Sequence, residues 1–384
     1  MARVVERWDE HRSIKWSATP PDVLPAWVAE MDFVVAPAIR DAVGEAVRRS
    51  DLGYAASTDD VLAHEVCSWY QQCFGWAPDP AHVVLLPDVM RGVDLALEVW
   101  TQRGDPVVTT TPVYHPFLET LAVHDRALSD APLAETAAGW SLDLEAIERG
   151  LAAGARVVLF CNPHNPTGTL FTRDELLALS ELVVEHDARV VADEVHAPLV
   201  HAGGRQHIAL ASLGEEIAAR TLTLTSVSKA WNVPGLKCAV ALPGSASVHE
   251  ALAALPPLLY FGGSPLGIHA TVAALRDGGP WLDDVRAELL DRRDLLTGLL
   301  AEHLPQVGYR PPDATYLAWL DFRAAHLPGV GTVADRLLDR GRVRVTAGED
   351  FGTNGDGRVR LNFATSRERV HEVIERIARA VSSS

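Results

Sequence analysis

The sequence predicts an α/β protein with a large domain built on a doubly wound, mostly parallel sheet and a smaller α+β domain. Short continuous apolar runs alternate with segments of helical spacing through the first part of the chain, the pattern of parallel strands covered on both faces. Polar motifs follow five of these runs, and in such sheets ligands bind beyond the carboxyl ends of the strands. Beyond residue 250 the alternation stops, which indicates a second structural unit.

Six apolar runs are predicted as strands of the large domain, and helices alternate with them. The strands are 83–86, 106–110, 156–161, 189–192, 221–225 and 238–242, and three of the helices are 38–49, 59–74 and 89–100. Asp88 fits the N-cap of the third of these helices. Thr172, followed by Glu175, predicts a capping box and therefore a further helix that begins just after it.

The smaller domain is predicted from the last part of the chain together with its beginning. A long helix over 281–304, strands over 316–322 and 357–363, and a final helix over 366–381 lack the alternation of the large domain. Residues 1–35 hold tryptophans and prolines with little periodicity, which predicts an arm laid over another surface. The predicted large domain is therefore 36–280, and the small domain combines 1–35 with 281–384.

Composition narrows the class of function. The 384 residues carry a formal charge of −17, which argues against nonspecific binding of nucleic acid or anionic membranes. No apolar run reaches the length of a membrane span, and the polar start lacks a signal-peptide core. The spacing of the four cysteines fits neither a zinc site nor a redox pair. We therefore expect reduced thiols, no metal centre and a cytoplasmic location.

Lysine is rare in this chain, and its distribution points to a site. Lys15, Lys229 and Lys237 are the only three lysines. Arginine cannot lose its proton to form an imine with a carbonyl, whereas an amine activated by burial can. Ser226 and Ser228, with the cation of Lys237, suit a phosphate. A carbonyl and a phosphate on one small molecule describe pyridoxal 5'-phosphate (PLP); the alternative is a strand end with solvated serines and lysines.

Four further residues are candidates for the same chemistry. Asp193 ends a buried strand and needs a cationic partner, such as a pyridinium nitrogen, unless it caps a helix or a surface turn. Asn165, in Asn-Pro-Thr-Gly, could donate to a phenolic oxygen or belong to a structural turn. Tyr114 could stack on a ring, hold a proton or lie at a rim. Arg360, in mid-strand, could clamp a carboxylate or form an internal salt bridge. Glu194 should point to the opposite face from Asp193.

Together these residues resemble the fold type I PLP enzymes of the aminotransferase class I/II family. The matching motifs are Tyr114, Asn165-Pro-Thr-Gly168, Asp193-Glu-Val-His196, Ser226-Val-Ser-Lys229 and Arg360-Leu-Asn. Within that family the chain is most similar to the cystathionine β-lyase branch, the C–S lyases of the MalY/PatB type. Three features favour this branch: Ser13-Ile-Lys-Trp16 followed by Leu24 to Phe33, His196 in place of the usual tyrosine, and Arg360 to Phe363 following Asp350-Phe-Gly352.

The resemblance implies roles for twelve residues. Lys229 would bond covalently to PLP, Asp193 would pair with its ring nitrogen, Asn165 would bond the phenolic oxygen, Tyr114 would stack on the ring and His196 would lie beside it. Ser226, Ser228, Lys237 and the backbone of Val89 and Met90 would hold the phosphate. Tyr54 would reach the phosphate of the other subunit, which implies a homodimer, and Arg360 would hold the substrate carboxylate.

The chain departs from the family pattern at four positions. Lys237 stands where many relatives have arginine, and Asp88 occupies a position that is usually small. A negative charge beside a phosphate is costly unless it caps the helix from outside. Trp231 replaces a commoner phenylalanine and is expected to narrow the substrate space. Ala239 replaces a usual glycine.

The resemblance implies β-elimination on an L-cysteine S-conjugate such as L-cystathionine. Lys229 would remove the Cα proton, the thiolate would leave, and pyruvate and ammonia would follow; Lys229 or Tyr114 would protonate the thiolate. The enzyme alternative is an aminotransferase, which uses the same residues and returns the proton to the cofactor. A PLP-sensing regulatory domain ranks below both, because only about 35 residues precede the fold, where such regulators carry a DNA-binding helix-turn-helix.

Overall fold

A computed structural model describes residues 11–56 and 58–382. The first ten residues of the predicted arm, with the polar start, lie outside the described part. The helices are α1 Ile14–Ser17, α2 Pro37–Arg48, α3 Asp60–Phe74, α4 Val89–Trp100, α5 His115–Val123, α6 Leu144–Ala152, α7 Arg173–Glu185, α8 Glu215–Ala218, α9 Ala246–Ala253, α10 Pro265–Asp277, α11 Gly279–His303, α12 Val333–Arg336 and α13 Arg367–Ser382. The strands are β1 Leu24–Pro25, β2 Val84–Leu86, β3 Pro106–Thr109, β4 Ala127–Asp130, β5 Ala134–Thr136, β6 Gly139–Ser141, β7 Val157–Cys161, β8 Arg189–Asp193, β9 Thr221–Thr225, β10 Ala239–Pro243, β11 Gly308–Tyr309, β12 Leu317–Asp321, β13 Val343–Arg344, β14 Thr346–Ala347 and β15 Arg358–Asn362.

The central sheet has seven strands in the order β2-β10-β9-β8-β7-β3-β4. The pairs from β9 to β4 are parallel, whereas β10 runs antiparallel to both of its neighbours. The predicted mostly parallel sheet is therefore confirmed. Because β10 is reversed, its beginning lies at the same edge as the ends of the parallel strands. That reversal brings Lys237, two residues before β10, to the edge where the other polar motifs gather.

Helices cover both faces of this sheet, as its continuous apolar strands require. Val107 and Val191 face α4 and α5 in one core, and Val108 and Val190 face α6 and α7 in another. The close approach of α4 depends on Gly92, because a Cβ there would lie 2.4 Å from a methyl group of Leu224. The glycine therefore lets α4 lie directly on β9 with its amino end at the polar edge.

The C-terminal part of the chain forms a second, antiparallel sheet in the order β11-β12-β15-β14. Helices α11 and α13 pack together, and both share an apolar core with this sheet. The arm joins this part: β1 pairs with β13, and the Asn362 side chain donates to the carbonyl of Val28 at 2.6 Å. Within 11–56 and 58–382, no helix is both long and apolar enough to cross a bilayer.

Candidate active site

A cavity of about 760 Å³ opens at the polar edge of the central sheet. Eleven of the twelve predicted site residues line it, namely Val89, Met90, Tyr114, Asn165, Asp193, His196, Ser226, Ser228, Lys229, Lys237 and Arg360. Tyr54, the twelfth, lies outside the wall and is 93% exposed. The structure therefore brings together residues that are as much as 271 positions apart, from Val89 to Arg360.

The amine of Lys229 lies just beyond the end of β9 and is held by the arm. Its Nζ donates to the carbonyl of Ala29 at 3.1 Å, and the same carbonyl accepts the hydroxyl of Tyr316 at 3.0 Å. Desolvation by the surrounding protein and the nearby Arg360 cation lower the pKa of Lys229 to about 8, although Asp193 opposes them. A substantial fraction of this amine is therefore neutral near pH 7–8, as a nucleophile or base must be.

Asp193, the last residue of β8, places a buried carboxylate in the same cavity. Its Oδ1 accepts the backbone N–H of Val195 at 3.1 Å. Burial raises the pKa of Asp193 to about 6, against the opposing effects of that N–H and of Lys229. Glu194 turns away from the cavity, accepting the N–H of Leu210 at 3.1 Å, so no carboxylate pair forms, as the sequence predicted. Asp193 is left as a buried anion that an additional cation would stabilise.

Arg360 projects from β15 into the cavity and connects it to the arm. Its Nη1 donates to Oδ1 of Asn165 at 3.0 Å, and its Nη2 donates to the carbonyl of Trp27 at 3.0 Å. Its Nε is buried without a partner among the described residues, and burial lowers its pKa to about 10. The described residues include no carboxylate paired with Arg360, which disfavours an internal salt bridge. The guanidinium is therefore a donor that still lacks an anion.

The amino end of α4 forms a second donor site at the opposite side of the cavity. Val89 and Met90 occupy the first two positions of the helix, whose N–H groups have no acceptor within it. Asp88 caps the helix by accepting the N–H of Arg91 at 3.0 Å, and its other oxygen accepts Lys237 Nζ at 2.8 Å. Burial raises the pKa of Asp88, but Lys237 and the Arg91 N–H lower it by more, so the carboxylate is ionised. Asp88 thus caps the helix, as the sequence predicted, and also neutralises Lys237.

The two serines of the lysine motif lie beside this helix end with different hydrogen bonds. The hydroxyl of Ser226 donates to the carbonyl of Cys238 at 2.6 Å and accepts the N–H of Ser228 at 3.0 Å. Ser226 therefore shapes the loop and has already used its proton. A phosphate at this position would depend on the α4 N–H groups, Ser228 and Lys237 for its donors.

The remaining side chains form the cavity's aromatic wall. Burial raises the pKa of Tyr114 to about 12 and lowers the pKa of His196 to about 3, so the phenol keeps its proton and the imidazole is neutral. The His196 ring meets Tyr316 edge-on, with 6.1 Å between centroids. The expectation that Trp231 narrows the substrate space is wrong. Its indole is buried in the apolar core, where Nε1 donates to the carbonyl of Gly278 at 3.1 Å.

Sequence reasoning missed the contribution of the arm to the wall. Trp27, Val28 and Ala29 line the cavity, and the carbonyls of Trp27 and Ala29 hold Arg360 and Lys229. The only signal was the similarity of the segment from Leu24 to Phe33 to one branch of the family. Those hydrogen bonds use backbone atoms, which any residue provides.

The residues present fit PLP. A poised amine, a buried carboxylate and a helix end with free N–H donors match an aldehyde, a protonated ring nitrogen and a phosphate, respectively. Among residues 11–56 and 58–382, no group of three His, Cys, Asp or Glu side chains could hold a metal ion.

Comparison with known proteins agrees with this cofactor. Residues 28–377 match the family described as aminotransferase class I and II. The chain is 36% identical to the cystathionine β-lyase of Corynebacterium glutamicum, covering 97% of this chain and 98% of that protein. It is 33% identical to the cystathionine β-lyase PatB of Bacillus subtilis, with 97% of each covered. A solved structure from Corynebacterium diphtheriae, described as a candidate PLP-dependent β-cystathionase, has a TM-score of 0.93 and 35% identity, covering 100% of this chain and 99% of that one. The predicted fold type I architecture is therefore confirmed.

Proposed function

Because this chain belongs to the aminotransferase class I and II family, we propose that it is a PLP-dependent C–S β-lyase. It cleaves L-cystathionine or another S-conjugate of L-cysteine to a thiol, pyruvate and ammonia. The observation that supports this most directly is the convergence of Lys229, Asp193 and Arg360 on one cavity. A base, an anion for the cofactor ring and a cation for the substrate carboxylate are the groups that the reaction requires.

Specific residues would hold the cofactor at each of its polar ends. Asp193 faces the ring nitrogen, Tyr114 stacks on the ring, and the amide of Asn165 donates to the phenolic oxygen. The α4 N–H groups and Lys237 bind the phosphate. Once bound, PLP supplies an electron-withdrawing ring that acidifies the Cα–H bond of an amino acid condensed with its aldehyde.

The protein side chains then orient the substrate and move protons. Arg360 binds the substrate α-carboxylate through a two-pronged guanidinium contact, which fixes the Cα–H bond relative to the ring. Lys229, with a pKa of about 8, takes the Cα proton as general base. The departing thiolate needs a proton, and Tyr114, whose phenol is protonated up to a pKa of about 12, supplies it or passes it from Lys229. His196 stays neutral beside them and adds no competing charge.

The assembly proposed is a homodimer in the cytoplasm. Tyr54 is 93% exposed and its ring lies 5.8 Å from that of Phe261, which is itself 51% exposed. Leu258, in the same segment as Phe261, is 83% exposed. Such a set of exposed apolar side chains suits burial against a second subunit, with Tyr54 entering the partner's cavity. The four free cysteines suit a reducing compartment.

Product analysis tests the reaction. Purified protein with PLP and L-cystathionine should release pyruvate and free thiol in equal amounts, with no keto acid added. Dependence on a keto acid, with transfer of the amino group to it, would assign the chain to the aminotransferases instead. The Lys229→Ala variant should lose both turnover and the visible absorbance of the covalently bound cofactor. Full lyase activity in that variant would contradict the assignment of Lys229 as base.

A further inference from the structure

A second guanidinium lines the same cavity, farther out than Arg360. Arg344 ends β13, the strand that pairs with the arm at Leu24–Pro25. Its guanidinium carbon lies 3.8 Å from the ring centroid of Trp27, and its Nη1 donates to the carbonyl of Ala18 at 2.5 Å. Stacking on an indole holds the flat guanidinium in one orientation while its remaining N–H groups stay free to bind an anion.

Trp27 connects the two cations of the cavity wall. Its carbonyl accepts Nη2 of Arg360, and its indole carries Arg344. Arg344 forms no ion pair with any residue that the structure describes, whereas Arg342, two positions earlier, pairs with Asp22 at 2.7 Å. One wall residue thus positions two guanidiniums that both lack a carboxylate, although acidic residues outnumber basic ones in the chain by 51 to 34.

Two carboxylates share the outer wall with Arg344. Asp335 begins α12 and uses one oxygen to cap Thr332, at 2.9 Å from its N–H. Asp350 is exposed, and its charge acts on both His115 and Arg360. Both residues line the cavity. They disfavour a ligand with an unbalanced negative charge and favour one that carries an ammonium beside its carboxylate.

We propose that Arg344 is a specificity-determining residue that binds a carboxylate on the leaving thiol. The inference rests on the proposed function, because the inner cation, Arg360, is taken up by the α-carboxylate of the cysteine half. The outer cation is then available to the group attached to sulfur. With Asp335 and Asp350 nearby, the preferred leaving group is itself an amino acid, with its carboxylate on Arg344 and its ammonium facing the acidic side chains.

A pair of substrates and a matched arginine variant test this proposal. L-Cystathionine and S-propyl-L-cysteine undergo the same elimination, but only the first has a charged distal head. A charge-assisted contact is worth about 1.5–3 kcal/mol, so Arg344→Gln should lower the ratio of their kcat/KM values about tenfold or more, mainly through the KM of L-cystathionine. Arg344→Lys should restore part of the ratio. Arg342→Gln, which breaks a surface pair outside the cavity, should leave the ratio unchanged.

The alternative is that Arg344 serves only to hold Trp27 and the arm. In that case Arg344→Gln would reduce kcat/KM for both substrates by the same factor, and an unchanged ratio would overturn the proposal. S-(3-aminopropyl)-L-cysteine, which lacks only the distal carboxylate, should behave like S-propyl-L-cysteine toward this variant. Dissociation constants read from the cofactor absorbance separate this outcome from a failure of the proposed function. If no pyruvate forms, weaker binding of L-cystathionine alone to Arg344→Gln still supports the proposal, and equal binding refutes it.

Discussion

The guanidinium of Arg360 donates a hydrogen bond from Nη1 to Oδ1 of Asn165 at 3.0 Å. A guanidinium can only donate, so the atom of Asn165 that faces it must be the amide oxygen. The NH₂ group of Asn165 is thereby turned away from Arg360, leaving a donor for the cofactor's phenolic oxygen. The substrate clamp and the cofactor contact proposed for these residues are therefore parts of one hydrogen-bonded unit.

Replacing Asn165 by Asp should disrupt both halves of that unit. The new carboxylate would form an ion pair with Arg360 and would remove the N–H donor toward the cofactor. We expect kcat/KM to fall at least about tenfold, which corresponds to the loss of one charge-assisted contact, with a raised KM because Arg360 is less free to bind substrate. A double-mutant cycle with Arg360→Gln measures the coupling between the residues. Strictly additive losses would mean that the two side chains act independently.

Asp88 and Lys237 give a second prediction, because their ion pair occupies the proposed phosphate site. The side chains are 44% and 57% exposed, so the pair itself contributes only about 0–1 kcal/mol to stability. Asp88→Asn keeps an N-cap residue and removes the negative charge. It should therefore leave the thermal stability of the cofactor-free protein nearly unchanged and should tighten PLP binding a few-fold, as measured by titration of the cofactor-free protein.

Asp88→Ala is the matched control for the helix cap. It removes the same charge but also the side-chain oxygen that accepts the Arg91 N–H, so it should lower stability by about 1 kcal/mol. Weaker PLP binding in Asp88→Asn would mean that the carboxylate positions Lys237 for the phosphate rather than competing with it.

Several elements of this site could be predicted because their signals are local. The run predicted at 221–225 coincides with β9, and the run at 189–192 ends one residue short of β8. A continuous apolar run buried on both faces leaves little choice of structure. The Thr172–Glu175 capping box is present with both of its hydrogen bonds, since it involves residues only three positions apart.

Other elements depend on contacts that have no local signal. The strand β4 was not predicted, because it lies at the sheet edge and its first two residues are exposed, so its apolar pattern is weak. The placement of Trp231 in the core is set by α10 and the loop at Gly278, far along the chain. The grip of the arm on Lys229 uses a carbonyl of Ala29, and backbone atoms leave no mark in the sequence.

The lowered pKa of Lys229 predicts a pH-dependent cost in stability. Its pKa is about 8 in the folded protein and 10.5 in its ordinary state, so between these values the unfolded chain binds more protons and stability rises with pH. Below pH 8 the partly buried ammonium is unfavourable. Lys229→Met should therefore stabilise the cofactor-free protein at pH 7 by about 1–3 kcal/mol, with a smaller gain near pH 10. Urea unfolding of both proteins at the two pH values measures this; a gain that does not depend on pH would exclude the charge as its cause.

The last prediction concerns Tyr54, which lies outside the cavity of its own chain. If Tyr54 completes the site of a second subunit, Tyr54→Ala and Lys229→Ala damage different sites in a mixed dimer. One subunit provides Lys229 and the other provides Tyr54, so one intact site is rebuilt. Unfolding and refolding an equimolar mixture should restore activity to about a quarter of that of the unmodified protein, because about half of the dimers are mixed and each has one intact site. Each variant refolded alone provides the control. A mixture no more active than the average of the two variants would place Tyr54 in the site of its own chain or in no site, and a monomeric mass in solution would exclude the shared site altogether.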